Sequence, residues 1–333
     1  MSAAAPPQLI PAEQEARLIA LLRGQSVDAA GLAQLAPRSG VAGPVAHILG
    51  DSNTLAIQEL AHQRGLYWLR RIGQALDSAN VPFLILKGIP LGERYYRPHY
   101  LRACGDLDVL IDPADFARAD QAIRPCGYLP SAIVPVLTSR MIGHHVHYEH
   151  PSAPSLEIHF LLQSFFGSRP AARPFLDRSI SQTLTNGYSV RVLNPVDEFV
   201  HLAAHAAVHR WVECRWVYDL VLLLERHPAL DWNAVAMRTG ELRLWPSVLF
   251  TCVVLEQEWS TPVPLAALAP ALYERARLLL PSTRREVWEG SNMAKLALMF
   301  RELAFCQGIP EKFRFVMRVL TYPVIRRVRD RLA

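Results

Sequence analysis

Helical spacing of apolar residues dominates both ends of the chain. Residues 13–22 predict a short amphipathic helix. In residues 53–79 the apolar side chains fall mostly four apart, which places them on one helix face, and Pro82 ends the pattern. A third helix start stands at Asn194, with Pro195 at the first helical position and Asp197 in the first turn. Helical patterns then continue to the end, interrupted by prolines.

The middle of the chain changes to short apolar or alternating runs, which are typical of strands. The predicted strands are 83–86, 106–111, 145–149 and 156–162, and the predicted helices between them are 89–96 and 113–123. The fold class is therefore predicted to be α+β, with a small mixed sheet flanked by helices. The predicted division is an N-terminal helical region 1–80, an α/β core 81–190 and a C-terminal helical domain 191–333.

Composition adds little to this pattern. The chain has 333 residues, 51% of them apolar and 20% charged, which is an ordinary globular balance. A net charge of +5 is spread along the chain and weakly favours an anionic ligand. No concentrated Lys/Arg block indicates nucleic-acid binding, and the basic stretch 326–331 is interpreted as a solvated helix face. The longest apolar stretch, 244–255, is shorter than the ~20 residues that span a bilayer.

Cysteine usage favours a reducing compartment. The chain has five Cys, an odd number, and no CxxC pair, so neither a disulfide framework nor a zinc knuckle is expected. The first residues carry no basic segment followed by an apolar one, the pattern of a secretory signal. We therefore expect a cytoplasmic protein, and the sequence leaves its oligomeric state open.

The strongest chemical pattern is the pair Asp106 and Asp108 on one predicted strand. Side chains two apart on a strand point to the same face, so the two carboxylates repel each other unless a cation lies between them. Hard oxygen ligands of this kind suit Mg²⁺ or Mn²⁺, especially when substrate phosphates complete the coordination. The alternative is a pair of solvated acids at a strand end.

A phosphate site is predicted upstream, where a strand ends in Lys87 and Gly88 before a helix. Glycine lets the backbone approach a phosphate, and lysine supplies a point charge. The chain has only three lysines, at 87, 295 and 312, so this position stands out. Arg102, four residues before Asp106, can make a bidentate phosphate contact. An ordinary turn and a surface ion pair are the alternatives.

Glu157 and His159 lie two apart on the last predicted strand. Glu157 is a candidate third metal carboxylate or a general base for an incoming hydroxyl, with an exposed strand position as the alternative. His159 is a candidate nucleotide contact on the same face. A second histidine cluster consists of His144, His145, His147 and His150, in which alternation places His145 and His147 on one face. It is interpreted as sheet surface, with nucleotide contact as the alternative.

The C-terminal helices offer a second polar group. His201, His205 and His209 are spaced i, i+4 and i+8 and share one helix face. This face is interpreted as the lining of a cleft, with satisfied core histidines as the alternative, and the absence of HExxH disfavours zinc. Arg215 and Asp219 are spaced i, i+4 and are candidates for the same cleft or for pairing with each other.

Taken together these motifs resemble the uncharacterised nucleotidyltransferase family, a branch of the polymerase-β-like nucleotidyltransferase superfamily. The resemblance covers roughly residues 50–230. The residues that carry it are Leu86, Lys87, Gly88, Arg102, the run 105–111, the run 156–159, and His201, His205, His209, Trp211, Arg215, Trp216 and Asp219. Where the wider superfamily has a Gly-Ser pair after the first strand, this chain has Lys87 and Gly88.

The resemblance implies a nucleotidyltransferase-like sheet on which Asp106, Asp108 and Glu157 bind Mg²⁺ or Mn²⁺. It implies transfer of a nucleoside monophosphate from an NTP, with ATP as the expected donor, to a hydroxyl or phosphate acceptor. Relatives occur beside genes for peptide natural products, including lasso peptides, and for surface polysaccharides, so a peptide or a sugar is an expected acceptor.

Three other functions remain open at this stage. The same metal site would also serve phosphoryl transfer from an NTP. A non-catalytic nucleotide-binding partner in a biosynthetic complex would bind an NTP without turnover. A toxin that modifies tRNA would require a concentrated basic face, which the sequence does not contain.

Overall fold

The computed structural model describes residues 10–131, 144–162, 170–209, 211–264 and 269–279, together with residues 309, 312, 313, 316 and 317. Within these residues, a seven-stranded mixed sheet has the strand order β3-β4-β5-β2-β1-β7-β6. The strands are β1 Phe83–Ile85, β2 Asp106–Ile111, β3 Leu129–Pro130, β4 His145–Glu149, β5 Ser155–His159, β6 Ile180–Thr183 and β7 Ser189–Val192.

The helices precede, interrupt and follow the sheet. They are α1 Ala12–Leu22, α2 Leu32–Leu35, α3 Ala42–Leu49, α4 Ser52–Ser78, α5 Ile89–Tyr95, α6 Phe116–Ile123, α7 Arg173–Arg178, α8 Pro195–Val208, α9 Cys214–Arg226, α10 Trp232–Glu241, α11 Trp245–Gln257 and α12 Pro270–Leu279. Short 3₁₀ turns cover His99–Leu101, Pro113–Asp115 and Arg124–Cys126.

One face of the sheet is closed by α4 and α6. Leu69, Ile72 and Leu76 of α4 are buried and follow the helical repeat. They share a core with the side chains of β2 that point away from the acids, such as Leu107 and Val109. Because alternate residues of a strand face opposite sides, this packing turns Asp106 and Asp108 to the other face.

That other face is closed by the C-terminal helices. Its small apolar core includes Leu84 and Leu110 from the sheet and Phe175 from α7. A larger core joins α1–α3 to helices α8–α12. The N-terminal helices therefore support the helices that stand against the polar face of the sheet.

The structure confirms the predicted α+β class and most of the predicted elements. The helix start at Asn194 is as expected, because its side chain accepts hydrogen bonds from the backbone N–H of Val196 and Asp197. Two bounds differ. The last predicted strand is shorter and runs from Ser155 to His159, and the predicted helix 113–123 begins as a 3₁₀ turn before α6. The hairpin of β6 and β7 was not predicted from the sequence.

No helix among the described residues is both long enough and apolar enough to cross a membrane.

A close contact fixes α3 against the turn that precedes Arg102. A Cβ on Gly43 would lie 2.2 Å from the carbonyl oxygen of Leu101, so Gly43→Ala forces a backbone shift. We expect this variant to lower the free energy of unfolding by about 1–3 kcal/mol in urea denaturation. Gly105→Ala is the control, since its added methyl group meets nothing within 4 Å. Equal denaturation midpoints for the two variants would contradict the close packing of Gly43 against the Leu101 carbonyl oxygen.

Candidate active site

Strand pairing brings three acids together on one face of the sheet. Strands β2 and β5 are parallel neighbours, with Asp106 opposite Ser155 and Asp108 opposite Glu157. Directly paired residues point to the same side, and so do residues two apart on one strand. The carboxylates of Asp106, Asp108 and Glu157 therefore share a face, as the alternation in the sequence predicts.

Lys87 lies between the two aspartates. Its Nζ is 2.6 Å from Asp108 Oδ2 and 3.4 Å from Asp106 Oδ2. The backbone N–H of Leu86 donates to the carbonyl oxygen of Asp108, which extends the pairing of β1 and β2 up to Lys87. Burial opposes the charge on Lys87, but the two carboxylates outweigh it and raise its pKa above the ordinary value. The site thus holds a positive charge between its acids.

His159 joins Asp108 to Glu157 on the side away from Lys87. Its Nε2 is 3.2 Å from Asp108 Oδ1 and 3.1 Å from Glu157 Oε2. Burial alone would raise the pKa of Asp108, but Lys87 and His159 hold it well below its ordinary range. Burial likewise opposes the charge on His159, and its hydrogen bonds to the two carboxylates raise its pKa. The site therefore favours ionised carboxylates.

The acids differ in their access to solvent. Asp108 is fully buried, while 23% of the Glu157 side chain and 42% of the Asp106 side chain remain exposed. All three border a cavity of about 370 Å³ together with Lys87 and Gly88. A ligand that enters the cavity meets Asp106 and Glu157 directly and Asp108 at the bottom.

Gly88 holds the backbone turn beside the acids. Its φ is +82°, a conformation that favours glycine. An added Cβ would lie 3.0 Å from Cys104 Sγ, so the loop before β2 also limits the side chain at this position. The helix after it, α5, has seven residues and Pro90 in its first turn. Gly88 thus keeps the turn small where it borders the cavity.

The histidine row on α8 lies on the opposite wall of the cavity. His201, His205 and His209 all line it, and Trp216 of α9 packs against the row, with its ring centroid 4.8 Å from that of His209. Burial lowers the pKa of His201 to about 3 and also lowers the pKa of His205 and His209. These three imidazoles are therefore polar but uncharged near neutral pH.

The structure corrects the suggested pairing of Arg215 with Asp219. Arg215 instead pairs with Glu213 at 2.7 Å, and Asp219 accepts two hydrogen bonds from Arg102, from Nε at 2.9 Å and from Nη2 at 2.8 Å. The i, i+4 spacing would allow Arg215 to pair with Asp219, but the fold places the guanidinium of Arg102, from the loop before β2, beside Asp219. Arg102 and Arg215 both border the cavity, whereas Asp219 lies behind Arg102 and is not among the residues that line it.

The structure gives His145 a larger role than the sequence predicted, and it also places His144 and Trp216 at the cavity. His145 pairs with His159 across β4 and β5, so it stands beside the acids and faces the cavity rather than open sheet surface. Burial, followed by the charge of His159, lowers the pKa of His145 to about 4. The signal that could have identified it is the alternation of His145 and His147, which matches that of Glu157 and His159 once β4 and β5 are paired.

The residues present fit a divalent cation. Carboxylate oxygens from two strands converge on one cavity, and these are the ligands that Mg²⁺ and Mn²⁺ prefer. The ammonium group of Lys87 lies within hydrogen-bonding range of both aspartates. These carboxylates therefore already stabilise a positive charge in this part of the cavity. Asp108, Glu157 and His159 also place one ligand atom each within 4.8 Å of the others.

The chain matches one family model and is similar to several solved structures. A family model described as "Uncharacterised nucleotidyltransferase" matches residues 17–259. The solved structure of the antibiotic-resistance factor ANT(2'')-Ia is 14% identical, with 53% of this chain and 89% of that chain covered and a TM-score of 0.38. An antigenic nucleotidyltransferase-like protein from Paracoccidioides brasiliensis is 14% identical, with 64% and 96% covered and a TM-score of 0.33. No curated protein sequence matches.

The family assignment rests on the extent of the match. The matched residues include every strand of the sheet, the three acids and the helices that form the opposite wall of the cavity. The chain therefore belongs to the uncharacterised nucleotidyltransferase family, which makes it an enzyme of the nucleotidyltransferase class.

Proposed function

We propose that the protein transfers a nucleoside monophosphate from an NTP, with ATP as the expected donor, to a hydroxyl or phosphate acceptor in a Mg²⁺-dependent reaction. The observation that carries the proposal is the convergence of Asp106, Asp108 and Glu157 beside Lys87 in one cavity. Family membership supplies the reaction class.

Asp106, Asp108 and Glu157 would hold the divalent cation. When bound, Mg²⁺ or Mn²⁺ supplies charge stabilisation for the phosphate oxygens. The mixture of exposed and buried carboxylates suits this role, because Asp106 is open to the substrate while Asp108 is anchored by Lys87 and His159. A cation taken up there relieves the mutual repulsion of the acids.

In the proposed reaction the acceptor oxygen forms a bond to the α-phosphorus of the NTP, and the bond from that phosphorus to the bridging oxygen breaks, so pyrophosphate leaves. For a hydroxyl acceptor, the proton passes to a carboxylate of the site. Glu157 is our candidate, because it is partly exposed in the cavity and is ionised near neutral pH, with a pKa below the ordinary value. Burial opposes that shift, and the hydrogen bond from His159 outweighs burial.

The nucleotide phosphates would contact Lys87, Gly88 and Arg102, and the nucleotide would also contact His159 on the other side of Asp108. Lys87 would supply a positive charge to the phosphates, on a flexible side chain that already borders the cavity. Arg102 borders the same cavity, although two of its nitrogens are engaged by Asp219, so Asp219 would act by holding Arg102 in position.

The acceptor would face the wall formed by His205, His209 and Arg215. Neutral imidazoles both donate and accept hydrogen bonds, which matches the hydroxyl groups of a sugar or of a modified peptide. We also propose a reducing, cytoplasmic setting, because Cys104, Cys126 and Cys252 are free thiols.

The test is a product assay with the full chain, Mg²⁺, each NTP in turn and panels of sugar and peptide acceptors. We expect an acceptor mass gain of about 329 for AMP and release of pyrophosphate. A gain of about 80 identifies phosphoryl transfer instead. Retained product formation after chelation of all divalent ions would reject the metal-dependent reaction.

A further inference from the structure

A cluster of three imidazoles lies beside the carboxylates of the proposed Mg²⁺ site. It consists of His144 and His145 at the start of β4 and His159 at the end of β5, and one ring nitrogen of each lies within 4.8 Å of the others. The ring centroids are 4.4 Å apart for His144 and His145 and 4.9 Å apart for His145 and His159. All three residues border the cavity.

The sheet itself brings these rings together. His145 and His159 are a directly opposed pair on antiparallel strands. The carbonyl oxygen of His144 accepts a hydrogen bond from the backbone N–H of Phe160 at 3.0 Å, so the strand pairing continues one residue further. The cluster is thus built from regular backbone positions, which is the kind of support that fixes ligand geometry.

Two of the rings have unused nitrogen capacity. The Nδ1 atoms of His145 and His159 are buried, and no hydrogen-bond partner for either is found in the part of the chain that the structure describes. The Nε2 of His159 is already directed to Asp108 and Glu157. Carboxylates that accept from one nitrogen of a histidine fix its ring and its tautomer, an arrangement found around metal-binding histidines.

We propose that His144, His145 and His159 bind a divalent transition metal of the Zn²⁺ class, at a site next to the carboxylate site. Three imidazoles favour Zn²⁺, Co²⁺ or Ni²⁺, whereas carboxylates favour Mg²⁺. Two nitrogens on one tetrahedral zinc lie about 3.4 Å apart, given Zn–N bonds of ~2.0–2.1 Å, so the rings need only small rotations to close on the ion. The fourth position opens on the cavity and admits water or substrate.

The test uses metal-free full-length protein and Zn²⁺ itself as the probe. We expect isothermal titration in excess Mg²⁺ to show one tight Zn²⁺ site per chain. The double variant His144→Ala/His145→Ala is expected to lose at least about 100-fold in Zn²⁺ affinity. His147→Ala is the matched control, because it removes a half-exposed histidine from the same strand and the same face. We expect this variant to keep the Zn²⁺ affinity of the wild type.

A second measurement is independent of any substitution. Co²⁺ added to the wild-type protein is expected to give the visible absorption bands of a nitrogen-ligated tetrahedral ion, and Zn²⁺ is expected to remove them. Absence of these bands, or equal Zn²⁺ affinity in the wild type and the double variant, overturns the proposal. The readouts require no catalysis, so a failure of the proposed transfer reaction would leave them unaffected.

Discussion

Replacing Asp106 or Asp108 by asparagine is expected to lower the rate of nucleotidyl transfer by at least about 10³-fold, or roughly 4 kcal/mol of transition-state stabilisation. Asparagine keeps the shape of the side chain but removes the negative charge that would hold the cation. Both carboxylates would bind the cation, so each variant lacks one of the proposed ligands. The measurement is kcat/KM for pyrophosphate release.

The two variants should differ in stability, and this difference separates a catalytic from a structural effect. Asp108 is fully buried between Lys87 and His159, so Asp108→Asn leaves two buried basic groups with less compensation. The Asp106 side chain is 42% exposed, and its nearest oxygen lies 3.4 Å from Lys87 Nζ, compared with 2.6 Å for Asp108. We therefore expect Asp106→Asn to lose activity while its urea denaturation midpoint stays close to that of the wild type.

The matched control is Asp112→Asn, one residue beyond the same strand. Asp112 accepts a hydrogen bond from the backbone N–H of Ala114 and lies outside the cavity. Asparagine caps a helix about as well as aspartate, so we expect this control to keep both the stability and the transfer activity of the wild type. If Asp106→Asn kept the activity of the control, the carboxylate pair would have no part in catalysis.

The arrangement of the acids follows closely from the sequence. An apolar run with carboxylates two apart predicts a strand with both acids on one face, and β2 has this form. Glu157 and His159 repeat the same alternation on β5. What the local pattern lacks is the register. Only the parallel pairing of β2 with β5 sets Glu157 opposite Asp108, and no property of either strand alone specifies that alignment.

The hairpin of β6 and β7 was missed because its local signal is weak. Ile180–Thr183 and Ser189–Val192 have four residues each, and half of their side chains are both exposed and polar. Strand β7 is held by its pairing with β1 and by the burial of Val190 and Val192 against the sheet. Its position in the fold therefore depends on tertiary contacts rather than on intrinsic propensity.

The partner of Arg102 could not be predicted for a similar reason. Arg102 and Asp219 are 117 residues apart in the chain. The i, i+4 spacing on a helix favours Arg215 as the partner of Asp219, because Arg215 is close to it in sequence. The fold brings the loop before β2 against α9, and Tyr96 also donates to Asp219 at 2.8 Å. This network joins the acid-bearing strand to the helix that carries Trp216, so it connects the two walls of the cavity.

Arg102→Met is therefore expected to destabilise the protein strongly, by about 3–5 kcal/mol. The side chains of Arg102 and Asp219 are only 5% and 1% exposed, so the variant leaves a buried carboxylate without its bidentate partner. Methionine keeps much of the side-chain volume, which limits the contribution of lost packing. Urea denaturation without nucleotide measures this structural effect separately from any phosphate contact.

The control for this prediction is Arg173→Met on α7. Arg173 and Asp177 form an ion pair whose side chains are 66% and 57% exposed, and such surface pairs contribute about 0–1 kcal/mol. Both variants remove one guanidinium from one ion pair, so the difference between them reports burial. If the two denaturation midpoints shifted equally, the Arg102–Asp219 pair would contribute no more than a surface ion pair. In that case, the connection between the sheet and α9 would have to depend on apolar packing alone.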